Sequence, residues 1–243
     1  MVLALLALAV PTFVFLLVKS APYGRHGRPG WGPTVPNRAG WILMEHPAVL
    51  LFLVVFALGR HRAGLVPLVL LAVWQLHYVH RTFVFPFRLR ATDRRMPLVV
   101  ALAGMSFNAA NAYANARWVS ELGAYPAAWI ADPRFLAGLA IFIVGLVMNL
   151  HADTVLLHLR RPGETGYRVP HGAMWRWISS PNYLGEILEW IGWAILTWSL
   201  AGLAFAVYTA ANLVPRALAN HAWYRDRFPD YPPGRRALIP FVL

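Results

Sequence analysis

Ser180-Pro-Asn-Tyr-Leu-Gly-Glu-Ile-Leu-Glu189 sets an amide and two carboxylates at the mouth of an apolar stretch. On a helix, Asn182, Glu186 and Glu189 fall at i, i+4 and i+7 and share one face. Ser180 suits the N-cap of that helix and Pro181 its first position. Ile191 to Leu200 is as apolar as a membrane span. Ionisable groups in such a place are costly, which makes them candidates for a functional site. The plainer alternative is an interfacial ring of residues that snorkel to water. Glu45 poses the same question: it is the only acid in the first 92 residues and stands beside the apolar run Ala48–Gly59.

A second group lies at the end of another apolar run, Gln75-Leu-His-Tyr-Val-His-Arg-Thr-Phe83. Gln75, Tyr78 and Thr82 share a helical face, with His77 and Arg81 on an adjacent one. An aromatic membrane belt would also place a tyrosine there, but the density of hydrogen-bonding groups favours a site. Asn149 and Asp153 are i and i+4 on a further helix, and Arg160 continues that face. The loops beside these helices hold many arginines and several tyrosines. Guanidinium forks suit phosphates, and carboxylates with amides suit ribose hydroxyls and a carboxamide. Together these groups suit a dinucleotide phosphate. There is no GxGxxG and no Walker sequence, so such a cofactor has to bind among the helices themselves. A phenol hydrogen-bonded to a carboxyl, as Tyr78 and Glu45 would be if brought together, can polarise a ketone.

The elements that must position these groups are membrane helices. Of 243 residues, 58% are hydrophobic and 13% charged, and the mean hydropathy is +0.50. That composition describes an all-α polytopic membrane protein. Apolar runs predict seven spans, at about 2–18, 41–59, 64–85, 98–116, 135–157, 183–200 and 202–221, the last two joined by a turn near Ala201-Gly202. Asn108, Asn111 and Asn115 in the fourth read first as helix–helix glue. With the N-terminus outside, 18 of the 22 Lys and Arg residues fall on the inner side, so the positive-inside rule predicts an N-out, C-in arrangement with the polar cluster facing the cytosol. The net charge of +12 is spread between apolar runs and forms no nucleic-acid motif, so no nucleic acid is expected. Arg25, Arg28 and Arg38 suit either an anionic ligand or lipid headgroups. There is no cysteine and no HExxH, and no metal site is expected.

Several stretches resemble the steroid 5α-reductases, type 2 most closely. Those nearest the C-terminus are Asn149-Leu-His-Ala-Asp153, Leu159-Arg-Arg-Pro-Gly-Glu164, Gly166-Tyr-Arg-Val-Pro-His-Gly172, the run from Ser180 to Trp193, Asp230-Tyr-Pro and Arg236-Ala-Leu-Ile-Pro-Phe. Tyr23-Gly-Arg-His, Trp41-Ile-Leu-Met-Glu45 and His77-Tyr-Val-His-Arg-Thr-Phe83 extend the likeness over nearly the whole chain. The resemblance implies one seven-helix domain over residues 1–243 that reduces the Δ4 double bond of 3-oxo-Δ4-steroids with NADPH. It implies that Glu45 and Tyr78 are catalytic and hold the 3-oxo group. Arg94, Asn149, Asp153, Arg160, Tyr167, Arg168, Asn182, Glu186, Arg216 and Tyr224 would bind the cofactor, and Trp41, Phe107 and Phe205 would wall the steroid. Asn220 departs from the family, which has a histidine there. The protein is expected to be a monomer among membrane lipids. Its alanine- and arginine-rich usage points to a bacterial inner membrane. The alternatives are a membrane reductase of a sterol, polyprenol or enoyl thioester, a membrane methyltransferase with a similar core, and a lipid transporter.

Overall fold

The computed structural model describes residues 1–20, 22, 24–89, 94–159, 164 and 166–243. Seven long helices dominate the described residues: α1 (Val2–Val18), α2 (Asn37–Ala57), α3 (Leu65–Val79), α5 (Leu98–Arg117), α6 (Pro133–His158), α7 (Pro181–Thr197) and α8 (Leu200–Arg227). A π-turn over His80–Val84 carries α3 into a short helix, α4 (Phe85–Arg88). Among the described residues, three helices are by length and composition apolar enough to cross a membrane: Asn37–Ala57, Leu65–Arg88 and Pro133–His158. Val2–Val18 is apolar but shorter. The chain is a helical membrane protein.

One feature departs from an all-helical chain. Thr34–Pro36 (β1) and Arg95–Pro97 (β2) pair antiparallel, with Val35 opposite Met96. This ribbon ties together the starts of α2 and α5, which then pack along each other.

Local chemistry explains the helix ends. Asp132 caps α6 by accepting from the backbone N–H of Arg134. Ser199 accepts from the Gly202 N–H and starts α8, so Ala201-Gly202 is the first turn of that helix. The turn between α7 and α8 instead falls at Trp198, whose φ of 46° is left-handed. Ser180 does not cap α7: its hydroxyl is buried without a partner among the described residues. Pro47 lies inside α2 and lacks the N–H that would reach the Leu43 carbonyl. His46 Nδ1 donates to that carbonyl at 2.9 Å, so the helix continues past the proline just after Glu45.

The closest packing joins α6 and α7. A Cβ at Gly145 would lie 2.5 Å from the Glu189 nitrogen and the Gly185 oxygen. One at Gly185 would lie 2.6 Å from the Asn149 nitrogen and 2.7 Å from the Gly145 oxygen. Gly138 and Gly192 meet in the same way two turns further along. Without side chains at these positions the two backbones touch, which aligns Asn149 and Asp153 with Asn182 and Glu186. The core beside this seam is aromatic, built from Phe52, Trp74, Phe142, Trp190, Trp193 and Phe205.

Candidate active site

A cavity of about 380 Å³ opens between α2, α3, α5, α6, α7 and α8. That volume falls in the range of small-molecule sites. Trp41, Phe107 and Phe205 are among its apolar lining residues, and Glu45 and Tyr78 line it too. Glu45 is buried, and Oε2 accepts a hydrogen bond from Asn108 Nδ2 at 2.9 Å. Asn108 also donates to the Met44 carbonyl, which fixes its amide. It therefore belongs to the site, whereas Asn115 serves as glue by accepting from Trp193 Nε1. Tyr78 is held between aromatic faces: Trp190 stacks on it at 5.5 Å and Trp74 lies at 4.8 Å. Among the described residues, no group hydrogen-bonds the Tyr78 hydroxyl.

Arg81 also lines the cavity and is the hub of its ion pairs. Its Nη1 lies 3.3 Å from Asp153 and its Nη2 lies 3.5 Å from Glu186, so it bridges carboxylates of α6 and α7. Asn182 Nδ2 donates to Asp153 at 3.0 Å, and Asn149 Nδ2 donates to the Asn182 carbonyl at 2.9 Å. The guanidinium also lies over the rings of Trp41 and Phe85, at 4.7 and 4.8 Å. The sequence places Arg81 in the polar group at the end of α3 but assigns it no role. Its signal was its spacing from His77, one turn earlier.

A second cavity, of about 210 Å³, adjoins the first. Arg94, Leu156, Asn182, Tyr183 and Arg216 line both. Arg25, His26 and Tyr167 close the second one. Arg25 lies over Tyr224 at 4.5 Å and Trp223 at 5.1 Å, and Arg94 lies over Tyr167 at 5.3 Å. His26 Nε2 donates to Asn220 Oδ1 at 3.0 Å. Burial pushes the His26 imidazole below its ordinary value, and the bond to Asn220 opposes that shift.

Of the residues expected from sequence, Glu45, Tyr78, Trp41, Phe107, Phe205, Arg94, Asp153, Asn182, Glu186 and Arg216 line the first cavity. Tyr167 lines the second. Asn149 stands behind Asn182 and lines neither. Tyr224 is buried beneath Arg25 and stacks on Tyr231 at 5.3 Å. Arg168 is exposed, pairs with Glu164 at 2.7 Å and is not among the residues that line either cavity. Arg160 lies outside the described residues. Glu189 shares the predicted face of α7, but it is fully buried and meets His77 Nδ1 at 2.6 Å. Among the described residues, no three of His, Asp and Glu converge as metal ligands.

A cavity lined by Trp41, Phe107 and Phe205 thus shares a wall with a second one lined by arginines and tyrosines, inside a bundle of helices. A family profile described as "3-oxo-5-alpha-steroid 4-dehydrogenase" matches residues 94–243. The chain is 44% identical to "Steroid 5-alpha-reductase DET2" of Gossypium hirsutum over 245 residues, covering 99% of this chain and 95% of that protein. It is 41% identical to "3-oxo-5-alpha-steroid 4-dehydrogenase 1" of Bos taurus over 241 residues, covering 98% of this chain and 93% of that protein. The protein of the same name from Homo sapiens is 38% identical over 245 residues, covering 99% of this chain and 94% of that protein. The chain belongs to the steroid 5α-reductase family.

Proposed function

We propose that this chain is an NADPH-dependent 3-oxo-5α-steroid 4-dehydrogenase that reduces the Δ4 bond of a 3-oxo-Δ4-steroid. The observation that carries this reading is the pair of cavities that share Arg94, Asn182 and Arg216, with Glu45 and Tyr78 lining the first.

The donor set fits the cofactor. Arg25, Arg94 and Arg216 converge on the second cavity as phosphate partners, and Asn182 at the junction, with Asp153 and Glu186 in the first cavity, suits ribose and carboxamide. Arg160, Arg168 and Tyr224 join the set through family resemblance. When bound, NADPH supplies a hydride to the steroid C5.

Trp41, Phe107 and Phe205 wall the flat ring system, which leaves the 3-oxo group to Glu45 and Tyr78. As C5 takes up the electron pair, negative charge moves to the 3-oxygen. A donor at that oxygen is worth more in this enolate-like state than in the ground state. Tyr78 has a free O–H for that task, and Asn108 holds Glu45 beside it.

In this reading the chain is one domain and a monomer. It has seven spans, N-out and C-in, and its cofactor mouth faces the cytosol of a bacterial inner membrane. The distribution of 18 of 22 basic residues on the inner side supports that orientation.

The test is turnover of progesterone or testosterone with NADPH by the purified protein. Tyr78→Phe should lower it on the order of a hundredfold, and Glu45→Gln should lower it as well. NADPH binding, read as thermal stabilisation, should persist in both. Near-normal turnover in Tyr78→Phe would refute the mechanism. Turnover only with a polyprenol would move the substrate class.

A further inference from the structure

His77 and Glu189 form a buried pair that the mechanism above leaves unused. Glu189 is fully buried on α7, and its Oε1 meets His77 Nδ1 at 2.6 Å. Its other oxygen, Oε2, is buried with no partner among the described residues. A carboxylate so placed lacks the donors that would compensate its charge, whereas a protonated carboxyl needs only the imidazole as acceptor. His77 itself lines the cavity. With Nδ1 turned to Glu189, its Nε2 is left on the cavity side. His77 packs edge-on against Tyr78 at 4.9 Å and against Trp190 at 4.7 Å, so the ring is held next to the group assigned to the 3-oxygen. A carboxyl behind a histidine whose far nitrogen opens on a reaction cavity is the arrangement of a general-acid pair.

We infer that His77 is the acid that protonates steroid C4, with Glu189 as the positioning residue that supplies the proton through it. The inference rests on the functional reading above and names the step that reading omits. The C4=C5 π bond breaks as C5 gains a hydride from the dihydronicotinamide, and the remaining electron pair is shared by C4 and the 3-oxygen. C4 is bonded to the carbon that carries that oxygen, so a donor beside Tyr78 can reach it. His77 Nε2–H gives its proton to C4, and Nδ1 takes one from the Glu189 carboxyl. The dyad ends as neutral imidazole and carboxylate. A proton from water restores the carboxyl before the next turnover. At no stage does an imidazolium stand in the apolar core.

Two measurements test this. In full-length protein without cofactor, the infrared carbonyl band of a protonated carboxyl should be lost in Glu189→Gln. Loss of no such band would overturn the inference. In turnover of progesterone, His77→Gln and Glu189→Gln should each slow the reaction on the order of a hundredfold. Protonation should then become rate-limiting. The solvent deuterium isotope effect should rise, and the isotope effect of deuterated NADPH should fall towards unity. If the NADPH isotope effect grows instead, the dyad only holds Tyr78 in place. Wild-type rates in both variants would also overturn the assignment while leaving the reductase reading intact. Absence of steroid-dependent NADPH oxidation by the unsubstituted protein would overturn both.

Discussion

Gly185→Ala puts a methyl group into the α6–α7 seam. Its carbon would sit 2.6 Å from the Asn149 backbone nitrogen and 2.7 Å from the Gly145 oxygen. Ordinary contact between such atoms needs about 3.5 Å or more, so the helices must part by about 1 Å. Asn149 donates across the seam to the Asn182 carbonyl at 2.9 Å, and Asn182 reaches Asp153 at 3.0 Å. An extra ~1 Å takes both beyond hydrogen-bonding distance. Overpacking costs about 1–3 kcal/mol, and each lost bond adds about 1 kcal/mol. The total of about 3–5 kcal/mol corresponds to a fall in Tm on the order of 10 °C for a chain of this size. A shift of ~1 Å in positioning residues can also cost on the order of a hundredfold in rate.

The comparison is Gly138→Ala, which clashes with the backbone of Leu196 and Gly192 in the same seam. It lies 11 residues before Asn149, about 16 Å along the helix. Both variants should melt earlier, but only Gly185→Ala should lose most of its stabilisation by NADPH. Gly234→Ala, where a Cβ meets nothing within 4 Å, should change neither. Equal loss of cofactor stabilisation in Gly138→Ala and Gly185→Ala would refute the view that this contact aligns the site.

Three further outcomes are expected. Arg81→Met leaves Asp153 and Glu186 without their shared cation and should destabilise the protein by about 3–5 kcal/mol; Arg81→Lys should not restore it, because separate nitrogens of one planar fork serve the two carboxylates. An unchanged Tm in Arg81→Met would contradict this. Arg94→Ala and Arg216→Ala should raise KM for NADPH more than for NADH if they face the 2′-phosphate, and parallel kinetics with the two cofactors would show otherwise. His26 has its folded value held below the ordinary 6.5 by burial. Protonation therefore favours the unfolded chain, and the contribution of His26 is complete above 6.5 and is lost as pH falls from there through the lower folded value. His26→Gln should flatten the dependence of Tm on pH in that window, and an unaltered slope would count against it.

The helices were legible because most are long apolar runs, several of them bounded by Gly, Pro or Arg. The expected starts of α5 and α6 fall within two residues of those found. The β1–β2 ribbon was not legible, because it joins two Pro-flanked tripeptides far apart in sequence that have no alternating pattern. The π-turn at His80–Val84 was equally silent, since nothing in a hydrophobic period marks one inserted residue. For the site, helical spacing gathered Asn182, Glu186 and Glu189 correctly on one face. Spacing alone gives no depth: one turn further in, Glu189 meets His77 and not the cavity. Asn108 read as glue because an amide in a membrane helix usually bonds a neighbouring helix. It does so here, but the partner it finds is Glu45.

α1 has its main partner at the far end of the chain. Leu5 packs with Ala201 and Ala204, Thr12 donates to Tyr208 at 3.4 Å, and His26, just beyond α1, meets Asn220. The ribosome must make residues 19–199 before the first of these contacts can form, which takes about 10–40 s at ordinary elongation rates. For that interval the face carrying Leu5, Ala9 and Leu16 lacks the α8 residues that later cover it, and Arg25 lacks the aromatic rings of Trp223 and Tyr224 that will later hold it. The second cavity therefore closes only when the last helix enters the bundle. A chain stalled before α8 would reach the membrane as an open bundle, its early helices inserted and exposed to quality-control proteases.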